Sequence, residues 1–174
     1  INTGDVRSPP AGIWLSGERG IGKSTLISGL AAALYPELEK AARMYGRSIT
    51  DQFWSRYANQ RLCYFDDFEQ ATGEKSKEAT AELMALISSV PYGLTMAGVA
   101  EKGTQFTSEV IVCSTNRKID EYHDGVKCQE AFHRRFMVFE AELLPQYATN
   151  GRVDPEKLKG LTTEQRAAYS HLRF

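Results

Sequence analysis

Gly17-Glu18-Arg19-Gly20-Ile21-Gly22-Lys23-Ser24 sets a glycine four residues ahead of a Gly-Lys-Ser triplet, the spacing of a phosphate-binding P-loop. Glycines at these positions let backbone N–H groups converge on a polyphosphate with no Cβ in the way. Lys23 supplies a compact positive charge for the β- and γ-phosphates, and the Ser24 hydroxyl is a ligand for Mg²⁺. Glu18, Arg19, Ile21 and Thr25 complete the candidate nucleotide-binding run. An apolar stretch, Gly12 to Leu15, precedes the loop and an amphipathic one, Thr25 to Leu34, follows it. The loop therefore joins a strand to a helix whose N-terminal dipole is aimed at the same anion. A chance match is on the order of one in a hundred or rarer in a chain of this size. The expected cofactors are ATP, or another nucleoside triphosphate, and Mg²⁺.

Two further groups of polar residues end apolar runs. Leu62-Cys63-Tyr64-Phe65 leads into Asp66-Asp67, and Val110-Ile111-Val112-Cys113 leads into Ser114-Thr115-Asn116. A carboxylate in the place of Asp66 holds the metal opposite the P-loop hydroxyl. Asp67 is then the candidate general base for an attacking water, and Asn116 the group that positions this water against the γ-phosphate. Taken alone, an Asp pair after a strand is a solvated strand end and a lone Asn is a turn residue. Their common register with the P-loop favours catalysis. Arg134 and Arg135, before the apolar run Phe136 to Phe139, read by default as a solvated helix end.

The elements that position these groups follow from periodicity. Gly12 to Ser16, Leu62 to Phe65 and Val110 to Cys113 are apolar without alternation, as strands buried on both faces are, and a weaker strand is expected around Met44 to Arg47. Leu26, Ile27, Leu30, Ala31 and Leu34 share one helical face ending at Pro36. Leu83, Leu86, Ile87 and Val90 mark a second helix stopped by Pro91, after a polar loop from Thr72 to Lys77. Tyr92 to Ser108 reads as a hairpin or extended loop, and the aromatic cluster from Phe53 to Tyr57 as core. A helix around Gln129 to His133 leads to the two arginines. Asp154-Pro155 signals a helix start, and Thr162 with Gln165 forms a capping box. Strands alternating with helices predict an α/β fold with a mostly parallel sheet. Ser16, Asp66-Asp67 and Asn116 all fall at strand carboxyl ends, where such sheets bind ligands.

The chain has 174 residues, enough for one domain: a core over 11–140 and a C-terminal helical extension over 141–174. Lysine and arginine total 21 against 22 aspartate and glutamate, so any nucleic-acid contact is a local patch and not a global basic field. Cys63, Cys113 and Cys128 are odd in number and widely spaced, which argues against a disulfide framework or a zinc site and suits a reducing compartment. No apolar stretch approaches the length of a membrane span. The opening Ile1 points to a piece of something longer.

In this order the motifs resemble those of the superfamily 3 helicases of positive-strand RNA viruses, specifically the picornavirus-like 2C ATPases. Gly17 to Ser24 resembles motif A, Tyr64-Phe65-Asp66-Asp67-Phe68 motif B, and Cys113-Ser114-Thr115-Asn116 motif C. Pro91-Tyr92 through Met96-Ala97 and Glu101 through Ser108 resemble the segment between B and C. Phe132-His133-Arg134-Arg135-Phe136 resembles the arginine-finger segment, and His171-Leu172-Arg173-Phe174 recurs near the domain end of insect-virus relatives. The resemblance implies an AAA+-type fold, three α/β/α layers around a mostly parallel five-stranded sheet in which the Phe65 and Cys113 strands flank the P-loop strand. It implies homo-oligomers, hexameric rings with ATP between subunits, and Arg134 and Arg135 reaching the neighbour's nucleotide. It also implies single-stranded or structured viral RNA as partner, met by a pore loop carrying Lys102. Membrane association through segments outside these residues, other replication proteins, and the host cytoplasm at membrane-bound replication complexes follow likewise. Motif B carries Asp-Asp where most AAA+ proteins carry Asp-Glu, and the cysteine-rich zinc element of enteroviruses is missing. An ATP-driven motor is the leading expectation. A scaffold that uses ATP as an assembly switch and a P-loop kinase are the alternatives.

Overall fold

The computed structural model describes residues 6–68, 72–121 and 125–174; part of the lead-in expected over residues 1–10 lies outside them. Five strands, β1 (Ala11–Ser16), β2 (Met44–Arg47), β3 (Leu62–Phe65), β4 (Val110–Thr115) and β5 (Phe136–Glu140), form an all-parallel sheet in the order β2-β3-β4-β1-β5. Four helices accompany it: α1 (Lys23–Leu34), α2 (Lys40–Arg43), α3 (Glu74–Leu86) and α4 (Gln129–His133). Successive strand residues point to opposite faces, and both faces are covered. On one, Trp14, Phe65, Ile111 and Cys113 pack with Leu83 and Leu86 of α3 and Phe132 of α4. On the other, Leu15, Tyr64 and Val112 pack with Ile27 and Ala31 of α1. This is the three-layer α/β architecture expected of a P-loop nucleoside triphosphatase.

The strand order corrects one expectation. β1 is flanked by β4 and β5, not by the Phe65 strand: Ser16 pairs with Thr115 and Glu140, while Phe65 pairs with Cys113. β4 thus stands between the P-loop strand and β3, and Asn116 leaves the sheet midway between the P-loop and Asp66-Asp67. Two other corrections concern helices. The polar stretch expected as a loop over Thr72 to Lys77 contributes the first turn of α3 from Glu74, because Glu74 and Lys77 pair at helical spacing, 3.3 Å apart. The C-terminal part is not a helical extension. After β5 it runs through two antiparallel pairs, β6 (Glu142–Leu143) with β9 (Leu172–Arg173) and β7 (Ala148–Thr149) with β8 (Arg152–Val153), and one five-residue helix, α5 (Thr163–Ala167). The capping box of Thr162 and Gln165 starts α5 as the sequence indicates. Asn150 and Gly151, at φ +52° and +72°, turn the chain between β7 and β8, and the remaining helical pieces are two 3₁₀ turns, Pro145–Tyr147 and Lys157–Gly160.

The segment between α3 and β4 is a narrow extended hairpin: Leu94 N–H donates to Thr104, Phe106 N–H to Tyr92, and Gly93 bridges Gln105. Phe106 anchors its base in the aromatic core with Trp54 and Tyr57, so the aromatic cluster is packing, as read. Lys102 sits exposed at the far end, after a single 3₁₀ turn over Val99–Glu101.

Candidate active site

The P-loop turns at Gly20 and Gly22, whose φ angles of +80° and +93° lie where a side chain is disfavoured. Gly22 caps α1 without a side-chain acceptor, so the first-turn N–H groups keep their capacity for an anion. Ile21 is 1 % exposed and packs into the core beside Leu15 and Ile27, which pins the middle of the loop while Glu18, Arg19 and Gly20 face solvent. Lys23 Nζ donates to the carbonyls of Gly17 (2.5 Å) and Glu18 (2.9 Å) and to Asn116 Oδ1 (3.0 Å). Burial pushes the Lys23 pKa down, and the carboxylates of Asp67, Asp66 and Glu18 pull it back up. The lysine and both aspartates therefore share one field.

Across from the loop, β3 ends in a tight turn. Asp67 takes a φ of +46°, a left-handed conformation that Asp tolerates better than most residues. The next residue fixes it: Phe68 N–H donates to Ser114 O (2.9 Å), and the Phe68 ring packs against Trp14 and Phe65. Tyr64 was not singled out by sequence reasoning, and it links the two motifs. Its hydroxyl lies 3.2 Å from Ser24 Oγ. Burial, and then the neighbouring Asp66 carboxylate, push the Tyr64 phenol well above its ordinary range. The signal was present in the strand period: Tyr64 and Asp66 are two apart and face the same side.

A cavity of about 670 Å³ is bounded by Lys23, Ser24, Asp66 and Asp67. Among the described residues no three His, Cys, Asp or Glu side chains cluster as a metal cage. The hydroxyl of Ser24 and the carboxylate of Asp66, both meeting Tyr64, are a small hard-oxygen donor set. Such a set fits Mg²⁺, which takes one or two protein ligands and completes its shell with phosphates and water.

The structure brings Lys23, Ser24, Asp66, Asp67 and Asn116 together and keeps the two arginines apart from them. β1 and β5 are parallel, with Gly12 beside Phe136 and Ser16 beside Glu140. Arg134 and Arg135 thus lie at the amino ends of strands whose carboxyl ends carry the P-loop. Five residues of strand is about 16 Å. Both arginines are exposed, with Arg135 Nη1 3.4 Å from Met84 Sδ. Lys102 is likewise remote on its hairpin. The far wall of the cavity is Val153, Pro155, Leu158 and His171, 130 to 150 residues beyond Lys23 in sequence; the motif at His171 marked the domain end, and none of the four stood out as a site residue.

Fold and site define a P-loop nucleoside triphosphatase domain of the helicase type. A family profile described as RNA helicase matches residues 13–117, a span that holds the P-loop, Asp66-Asp67 and Asn116, and the chain belongs to that family. It is 35 % identical over 131 residues to the RNA1 polyprotein of broad bean wilt virus 1, covering 75 % of this chain and 7 % of the polyprotein. Against the genome polyprotein of avian encephalomyelitis virus it is 34 % identical over 158 residues, 88 % of this chain and again 7 % of the polyprotein. The RNA1 polyprotein of cowpea mosaic virus is 37 % identical over 131 residues, with 75 % and 7 % covered. The chain thus spans less than a tenth of these relatives. The apo C-terminal region (305–718) of NrS-1 shares the fold, with a TM-score of 0.52 at 18 % identity over 92 % of this chain and 35 % of that one. The resemblance to viral superfamily 3 helicases drawn from the motifs is borne out.

Proposed function

We propose that the domain hydrolyses ATP, with Mg²⁺, to drive unwinding, translocation or remodelling of viral RNA during genome replication. The observation that carries this reading is the convergence of Lys23, Ser24, Asp66 and Asp67 on one cavity, with Asn116 bonded to Lys23 beside it, from three adjacent strand ends. Backbone amides of the P-loop and the α1 N-terminus bind the phosphates. Lys23, released from Asn116, turns to the β- and γ-phosphates and leaves the Asn116 amide to hold a water. Asp67 takes that water's proton as its oxygen bonds to the γ-phosphorus, and the bridging P–O bond breaks to leave ADP and phosphate. Ser24 and Asp66 hold the Mg²⁺, which when bound neutralises charge on the β- and γ-phosphates. Assembly into a homo-oligomeric, hexameric ring brings Arg134 and Arg135 of one subunit to the next subunit's nucleotide. Lys102 meets single-stranded or structured RNA at the tip of its hairpin. Membrane attachment through other segments, contact with other replication proteins and residence at host cytoplasmic replication complexes complete the proposal.

Tyr64 gives a first expected result. Its hydroxyl is hydrogen-bonded to Ser24 Oγ and stands beside Asp66, and such a bond is worth roughly 0.5–1.5 kcal/mol. Tyr64→Phe is expected to raise the Mg²⁺ concentration for half-maximal hydrolysis by about tenfold and to leave the rate at saturating Mg²⁺ nearly intact. A Mg²⁺ titration of steady-state turnover checks it. An unchanged half-point would make Tyr64 a packing residue.

The function itself is tested by steady-state ATP hydrolysis with and without single-stranded RNA. RNA is expected to stimulate turnover. Lys102→Ala is expected to weaken RNA binding and to make its log–log salt dependence shallower by about one unit, as loss of one phosphate contact requires. Assembly on ATP with negligible turnover would favour the scaffold instead.

A further inference from the structure

The phosphate end of the cavity has a fixed direction. The γ-phosphate must face Asp66, Asp67 and Asn116, so the nucleoside leaves the P-loop on the opposite side, past Gly20 and Thr25. That side is closed by the C-terminal segment, which is tied to the P-loop and α1 at several points. Val153 N–H donates to Gly20 O at 3.0 Å, and the Arg152 side chain packs where a Cβ on Gly20 would stand. The Tyr169 hydroxyl donates to Thr25 O at 3.0 Å. A Cβ on Gly29 of α1 would lie 1.9 Å from that same hydroxyl, so the glycine is what lets the segment sit so close. Leu172 then enters the core beside Ile21 and Ile27.

The chemistry of this wall is apolar with one exception. Val153, Pro155 and Leu158 line the cavity together with His171, a residue 9 % exposed. His171 Nδ1 is buried without a hydrogen-bond partner, and Nε2 lies 3.9 Å from the position of a Cβ on Gly22. Nε2 is thus the ring nitrogen on the P-loop side, and the one a ligand between loop and wall can meet. Burial holds the imidazole pKa below its ordinary value, so at neutral pH the ring is uncharged and has one donor and one acceptor. A ring system with hydroxyls and ring nitrogens, and no charge of its own, is what such a wall accommodates.

We propose that Val153, Pro155, Leu158 and His171 form the seat for the nucleoside half of the nucleoside triphosphate, with the apolar three against base and ribose and His171 as the hydrogen-bonding group. This rests on the P-loop holding a triphosphate, as proposed above. The seat links the part of the chain beyond β5 to nucleotide binding, a role outside the residues matched by the family profile.

Calorimetric titration of the intact chain with ATP and with inorganic tripolyphosphate, both with Mg²⁺, separates the two halves. The wild-type protein is expected to bind ATP about tenfold or more tighter than tripolyphosphate. Leu158→Ala and His171→Ala are each expected to remove most of that advantage and to leave tripolyphosphate affinity unchanged, while His171→Gln, which keeps a donor and an acceptor, retains part of it. Thermal unfolding identifies a variant that has lost its fold; should His171→Ala do so, Leu158→Ala and His171→Gln decide. Equal binding of the two ligands by the wild-type protein, or variants that keep the full preference for ATP, would overturn the seat alone. Binding of neither ligand would overturn the phosphate site and the seat with it.

Discussion

Asp67→Asn protein is expected to bind ATP with near wild-type affinity and to hydrolyse it about 10²–10⁴-fold more slowly, the range for loss of a positioned general base. Asn fills the same volume and adopts the left-handed conformation seen at φ +46° as readily as Asp, so the turn that Phe68 fixes on Ser114 stays in place. Asp66 and Ser24 remain for the metal. Lys23→Ala contrasts with it. Lys23 is 8 % exposed and makes three hydrogen bonds in the loop, and its removal takes the charge from the β- and γ-phosphates together with the anchor of Asn116. Both nucleotide affinity and turnover are expected to be lost. Nucleotide binding measured beside phosphate release distinguishes the two variants. Near wild-type turnover by Asp67→Asn protein would transfer the proton-accepting role to another group.

The parts of the site that were legible in the sequence are those written in one contiguous stretch or at one strand end. A P-loop is local chemistry: its glycines, its lysine and its hydroxyl act through neighbouring backbone, so the residue order alone carries the geometry. Asp66 and Asn116 were legible because an apolar strand must surface at a polar residue, and parallel strands surface on one side. Strand order was not legible. Nothing in Leu62–Phe65 or Val110–Thr115 says which lies beside β1, since both are buried on both faces and pair through the same parallel ladder. Edge position was equally hidden. Phe136–Glu140 has the apolar run of a central strand, yet Met137 is 51 % exposed and Phe139 42 % because β5 has a neighbour on one side alone. The C-terminal wall was beyond reach for another reason. Val153, Leu158 and His171 become part of the cavity through Tyr169 on Gly29 and Val153 on Gly20, long-range contacts between residues that look ordinary in their own neighbourhoods.

A mixture of two inactive proteins, Lys23→Ala and the double variant Arg134→Ala/Arg135→Ala, is expected to recover ATP hydrolysis. The register of β1 with β5 sets both arginines about 16 Å of strand away from the end that carries the P-loop, too far for either side chain to reach a γ-phosphate in its own chain. They are exposed, and among the described residues the Arg135 guanidinium meets Met84 Sδ, so their guanidinium groups are available to another subunit. A guanidinium supplied in trans stabilises charge on the transferring phosphoryl group, an effect of roughly 10³–10⁵ in rate for arginine fingers. The double variant alone is therefore expected to lose about that factor while still binding ATP, and turnover of the wild-type protein is expected to rise faster than linearly with protein concentration. In the mixture, a Lys23→Ala subunit contributes intact arginines to a neighbour whose P-loop is intact, so some interfaces are complete. Activity is expected to peak near equal proportions and to vanish at either extreme. Sedimentation of the mixture shows whether the two variants co-assemble; a co-assembled mixture without activity would exclude action in trans and leave Arg134 and Arg135 as the surface of a helix end.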